Sequence, residues 1–166
     1  AACARFRAIE GAGAVKIPAD RLADTLGRGL APLYVLIGDE PLGLAEASDA
    51  IRAAARAAGH TERSVHTFLG RANWQAIFAS GENFSLFAEK RLVEIRVPSG
   101  KPGIDGAKAL DAYAARLPGD TLTLIELPGI DYKATQAKWF GSLERAGIVV
   151  EARPVERSAL PDRIAR

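Results

Sequence analysis

At 166 residues, with 48% hydrophobic and 25% charged side chains, the chain is long enough for one domain with a full core and is ordinary for a globular protein. A net charge of +2, with arginines interleaved among acids, does not by itself argue for the clustered basic surface of a strong phosphate reader, and the absence of any eighteen-residue apolar run excludes a helical bilayer span. The single cysteine, Cys3, excludes an internal disulfide framework and fits a reducing compartment, and with only His60 and His66 as further soft donors no zinc cage is assembled by spacing.

The opening stretch AACARFRAIEGAGAVKIP lacks a long apolar core and is not a signal peptide; residues 1–17 read as a flexible leader. The chain opens on Ala, contains no Met, and ends in SALPDRIAR without a stop signal, so it reads as a fragment. Pro18 and Asp20 suit the first turn of a helix carrying Leu22, Leu26 and Leu30 at four-residue spacing, with Gly29 near its stop. Leu33-Tyr34-Val35-Leu36-Ile37, bounded by Pro32 and Gly38, is a short continuous apolar run, the pattern of a strand buried on both faces. From Leu42 to Ala58 an Ala-rich segment places Leu44, Ala47, Ile51, Ala54 and Ala58 in one stripe, closed by Gly59.

The alternation repeats: strand near 64–69, helix near 73–79, strand 92–97, helix 105–117, strand 121–127, helix 133–146 and strand 148–152. Five strands alternating with helices predict an α/β fold, a three-layer parallel sheet joined by right-handed crossovers and extending over 18–154. After Pro154 the composition turns polar, and Leu160-Pro161 reads as entry to a new helical element, so 155–166 is expected to begin a second domain.

In such sheets ligands bind beyond the carboxyl ends of the strands. The first of those loops, Gly38-Asp39-Glu40-Pro41-Leu42-Gly43-Leu44, has nearly the glycine spacing of a phosphate loop. It lacks the Lys and Ser/Thr, places two acids where phosphate would sit, and loses an amide donor at Pro41. Asp39 and Glu40 read as cap and first-turn acid of the following helix. A magnesium-binding phosphoacceptor module would need an aspartate after the third strand, where the sequence has Pro98-Ser99-Gly100-Lys101. No G-x-S-x-G elbow occurs, His66 reads as a strand residue, Cys3 has no activating neighbour, and Trp74 and Trp139 read as core or half-core residues. No catalytic constellation emerges, and no cofactor is called for.

One segment resists the core explanation. Between helix and strand lies Gly81-Glu82-Asn83-Phe84-Ser85-Leu86-Phe87-Ala88-Glu89-Lys90, with three large apolar side chains in a polar, Gly-flanked connection. Such residues serve either as core anchors or as hot spots for a partner, and composition does not separate the two.

Leu30-Ala31-Pro32-Leu33-Tyr34-Val35-Leu36-Ile37 followed by Gly38-Asp39-Glu40-Pro41-Leu42 resembles the opening of the delta subunit family of the bacterial DNA polymerase III clamp loader. Ser85-Leu86-Phe87-Ala88 with Lys90-Arg91-Leu92 resembles that family's clamp-contacting segment. Lys138-Trp139-Phe140, Leu143-Glu144 and Ala159-Leu160-Pro161 resemble later landmarks in the right order.

The resemblance implies an AAA+-like domain without a phosphate loop, followed by a small helical lid and a collar domain. It implies a non-catalytic, cytoplasmic subunit that binds the beta sliding clamp and helps open the ring. Its partners would be ATP-binding gamma/tau-type subunits and delta prime, with primed DNA reached through the assembled complex. Leu86 and Phe87 would insert into a clamp pocket, flanked by Phe84 and Ser85. Asn83 stands where the general clamp-binding pentapeptide has Gln. The rival readings are a nucleotide- or small-molecule-binding α/β enzyme domain and a phosphoacceptor module.

Overall fold

The structure, a computed structural model, describes residues 14–69, 73–75 and 90–154. Its elements are β1 (Val15–Pro18), a 3-10 turn (Ala19–Arg21), α1 (Leu22–Arg28), β2 (Leu33–Gly38), α2 (Pro41–Ala57), β3 (Glu62–Thr67), β4 (Arg91–Arg96), α3 (Gly103–Ala115), β5 (Thr121–Pro128), α4 (Tyr132–Thr135), α5 (Lys138–Ala146) and β6 (Ile148–Ala152). The six strands form one sheet in the order β1-β6-β2-β5-β4-β3, and every pairing is parallel.

The apolar runs explain why the sheet has a core on each side. Successive side chains of a strand point to opposite faces, so β2 divides its residues: Leu33, Val35 and Ile37 join one cluster, Tyr34 and Leu36 the other. The first cluster is closed by Leu110 and Tyr113 of α3 and by Phe140 and Leu143 of α5. The second is closed by Leu22 of α1 and by Ala47, Ile51 and Ala55 of α2. All of these are buried. The α/β class and the three layers follow the sequence pattern.

Three local expectations change. Strand β1 lies at the end of the stretch read as leader: Val15, Lys16, Ile17 and Pro18 pair with Ile148, Val149, Val150 and Glu151. Its short polar-apolar alternation suits an edge strand, with Val15 and Ile17 packed on the α1–α2 core. Among the described residues the sheet therefore has six strands, and the fold begins before residue 18. Pro18 is consequently the last residue of a strand and not part of a helical first turn. The helix expected over 133–146 is two, because Ala137 is extended (φ −72°, ψ 153°) and starts α5 afresh. Residues 1–13 and 155–166, including the expected start of a second domain, lie outside the described residues.

Candidate functional site

The strand order reverses about β2, which lies between β6 and β5. Crevices at such points, beyond the carboxyl ends of the strands, are where open parallel sheets hold ligands. A cleft of about 670 Å³ opens there, bounded by Gly38 at the end of β2 and Asp39 beyond it, Gly129 after β5, and the side chains of Arg52, Arg96 and Glu126.

Its phosphate end is already filled. Gly38 ends β2 at φ 131°, a conformation that favours glycine, and a Cβ there would run into the Ala152 carbonyl of β6. The chain can therefore turn sharply into Asp39 and Glu40. Glu40 is extended, and Pro41 begins α2 where its missing N–H costs nothing. The Glu40 carboxylate folds back over the helix start: Leu42 N–H donates to Oε1 at 3.1 Å and Gly43 N–H donates to Oε2. A side chain on Gly43 would press on that carboxylate, with its Cβ only 2.6 Å from Oε2. The amides that would receive a phosphate are thus occupied by the chain's own anion.

The cations of the cleft are committed as well. Glu94, in the middle of β4, has no exposed surface. Arg52 of α2 donates Nε and Nη2 to its two oxygens at 2.8 and 3.0 Å. Arg63 of β3 donates Nε and Nη2 at 2.5 and 3.2 Å, and Arg96 donates Nη2 at 2.9 Å. Arg52 also donates to Glu126, 3.2 Å away, as does the Ser48 hydroxyl at 2.7 Å. The Arg96 Nε lies 3.6 Å from the other Glu126 oxygen. Burial alone would push the Glu94 carboxyl up. The hydrogen bonds and charges of Arg52 and Arg63 outweigh that and hold it down at about 2. Both lining arginines, Arg52 and Arg96, are already ion-paired with Glu94 and Glu126, and no lysine is among the described lining residues, although the buried Arg96 Nε makes no hydrogen bond.

The other residues weighed for chemistry fall into structural places. His60 is buried and donates Nδ1–H to the Ala55 carbonyl at 3.1 Å. Burial lowers its pKa and the neighbouring Lys90 adds to that, against the opposing Ala55 bond and Asp120 charge. Among the described residues no group of three or more His, Cys, Asp or Glu side chains is placed to hold a metal, and no helix is long and apolar enough to cross a membrane. Trp139 is half-buried and meets Phe140 edge-on, with ring centroids 5.7 Å apart. Trp74 is buried. The network around Glu94 was not anticipated, although an acid inside the apolar run Leu92-Val93-Glu94-Ile95 was a signal that it needed partners.

Phe84, Ser85, Leu86 and Phe87, and with them the segment singled out as partner-binding, lie outside the described residues. The flanks are described: Thr67 ends β3 at the carboxyl edge of the sheet, and Arg91 starts the adjacent parallel strand β4 at the amino edge.

A family model described as DNA polymerase III, delta subunit, matches residues 34–153, which take in five of the six strands and both core faces. This chain belongs to that family. Among relatives of this delta-family chain, the DNA polymerase III subunit delta of Escherichia coli is 27% identical over 151 residues, covering 91% of this chain and 44% of that protein. The subunit of the same name from Haemophilus influenzae is 25% identical over 126 residues, covering 76% and 36%. The delta-family chain therefore spans less than half the length of these relatives. Its fold is that of the DNA clamp loader delta protein of Bacillus subtilis, with a TM-score of 0.67 at 20% identity, over 87% of this chain and 45% of that one.

Proposed function

We propose that this chain is the clamp-binding, AAA+-like portion of a clamp-loader delta subunit, acting in the bacterial cytoplasm during DNA replication. It grips one protomer of the beta sliding clamp and helps open the ring, without binding or hydrolysing ATP itself. Leu86 and Phe87 enter an apolar pocket on the clamp, with Phe84 and Ser85 beside them. ATP is handled by gamma/tau-type partners, delta prime is a further partner, and primed DNA is met through the assembled loader. The family match across 34–153 carries this reading. The seating of Glu40 on the α2 amides supports its second half, because a carboxylate held there repels a phosphate.

The test is direct. Burying a Leu and a Phe in a partner pocket supplies about 1.5–3 kcal/mol each before association costs. Leu86→Ala/Phe87→Ala should therefore weaken clamp binding by roughly two to four orders of magnitude while melting within a few degrees of the parent. Were the two residues part of the core, the same change would instead cost roughly 5 kcal/mol of folding stability. Unchanged clamp binding by the double variant would remove the assignment. Saturable ATP binding by calorimetry at micromolar concentration would remove the claim about nucleotide.

A further inference from the structure

The structure assigns this chain a contact of its own with nucleic acid: the groove between α3 and α5, lined by Lys108, Lys138 and Arg145, is a docking surface for the phosphate backbone of duplex DNA. The inference rests on the reading that this chain works beside primed DNA, and it stands apart from the clamp contact.

The three cations are dispersed in the sequence and gathered only by the fold. Helices α3 and α5 pack over the same face of the sheet, burying Leu110 and Tyr113 from one and Phe140 and Leu143 from the other. Between their outer sides lies a groove of about 630 Å³. Lys108 lines it from α3, Lys138 and Arg145 line it from α5, and all three are exposed.

These charges differ in kind from those of the cleft beyond β2. There Arg52 and Arg96 are ion-paired with Glu94 and Glu126. In the groove none of the three cations has a carboxylate at ion-pair distance among the described residues. Their one side-chain hydrogen bond runs from Arg145 Nη2 to the Ser142 hydroxyl oxygen at 3.2 Å. The single acid of the groove, Asp111, already accepts the Ser142 hydroxyl at 2.5 Å. Three unpaired cations against one engaged carboxylate leave the groove positive, and a positive groove attracts an anionic partner.

The lining also selects the kind of anion. Apart from Ser142 and the charged residues it is alanine, with no large apolar or aromatic side chain to anchor a protein partner. Lys138 and Arg145 stand seven residues apart on one helix, about 10 Å along its axis. That is about three phosphate steps along one strand of a duplex. Lys108 lies across the groove from them, on the neighbouring helix. Cations at that spacing over a floor of methyl groups meet a regular row of phosphates, which fixes position without reading sequence.

Two triple variants of the full chain test it beside the parent. Lys108→Ala/Lys138→Ala/Arg145→Ala empties the groove of cations. Arg21→Ala/Arg28→Ala/Arg56→Ala removes the same charge from exposed positions on the α1–α2 side. Binding to a fluorescein-labelled primed duplex is read by anisotropy between about 50 and 200 mM salt. Three phosphate contacts contribute about −2.7 to the slope of log affinity against log salt, so the groove variant should flatten the parent's slope by about that amount. The Arg21 set should leave the slope as it is. The groove variant should also melt with the parent, because exposed unpaired side chains carry little of the fold, and it should bind purified clamp as the parent does. Equal slopes for parent and groove variant, or no DNA binding by the parent, would overturn the proposal. Equal flattening by the two triple variants would make the attraction diffuse and overturn it as well. So would polyglutamate displacing the groove's ligand as well as duplex DNA does at equal charge, since the surface would then suit an acidic protein. If Leu86→Ala/Phe87→Ala keeps its clamp binding while the groove variant loses its salt slope, the clamp assignment fails and the DNA contact stands.

Discussion

Glu94 stays ionised in a place where burial alone would neutralise it, because Arg52, Arg63 and Arg96 surround it. Its pKa in the folded chain, about 2, is below the ordinary 4.5. A carboxyl lowered on folding stabilises the fold fully above its unfolded value and loses that contribution as pH falls through the folded one. Glu94 should therefore contribute up to about 3 kcal/mol at neutral pH, declining between about pH 4.5 and pH 2. Glu94→Gln leaves three guanidinium groups facing one another and should lower stability by about 3 kcal/mol near neutrality, read as a shift in urea midpoint. The variant should also lose much of the parent's acid sensitivity, so the two urea midpoints should draw together as pH falls and converge only at about pH 2 or below. Parallel midpoints at both pH values would show that Glu94 is not the titrating group.

Helix α2 shows how a terminal residue decides what an element can do. Glu40 satisfies two of the orphan amides at its start, so Glu40→Ala should cost about 1 kcal/mol and speed amide exchange at Leu42 and Gly43. It should not create a nucleotide site, since Pro41 still lacks an N–H and no lysine follows Gly43. Calorimetry of Glu40→Ala with ATP and magnesium checks the second point.

That an acid caps α2 was legible in the sequence, although the cap is Glu40, one residue later than read, and the first turn holds no acid; the buried runs of β2, β4, β5 and β6 were legible too, because continuous apolar runs and helical spacing are local signals. What was not legible is non-local. Val15-Lys16-Ile17 is too short to announce a strand, and it becomes one only because β6 offers a free edge. Glu94 finds Arg52 and Arg63 across 42 and 31 residues of sequence. The break at Ala137 falls inside a stretch whose apolar spacing, Ala137, Phe140 and Leu143, reads as one helix. The fate of Leu86 and Phe87, core or surface, was open in the sequence and is decided only by the clamp-binding test.

At the scale of the whole molecule, β1 extends the sheet beyond the boundary that the helical pattern marks. Cutting the chain at residue 18 would strip the cover from β6 and remove the contacts of Val15 and Ile17 with the α1–α2 core. A chain beginning at Ala19 should be less stable than one beginning at Ala14 by about 2–4 kcal/mol, the value of two partly buried aliphatic side chains and their ladder. Differential scanning calorimetry of the two lengths measures it, and equal melting temperatures would make β1 an ornament of the sheet.

The carboxylate seated at the head of α2 also fixes how this domain can behave over time. Proteins that hold a terminal phosphate at that position change shape when it departs, since the contacts of the lost group held one arrangement over another. Here the anion is covalently part of the chain and never leaves, so no cycle of hydrolysis and exchange can reset the helix from within. On the proposed clamp-binding function, such a domain is a stationary jaw whose hold is set by its sequence and not by the energy state of its surroundings. Clamp affinity measured in plain buffer, in ATP and in ADP should be the same.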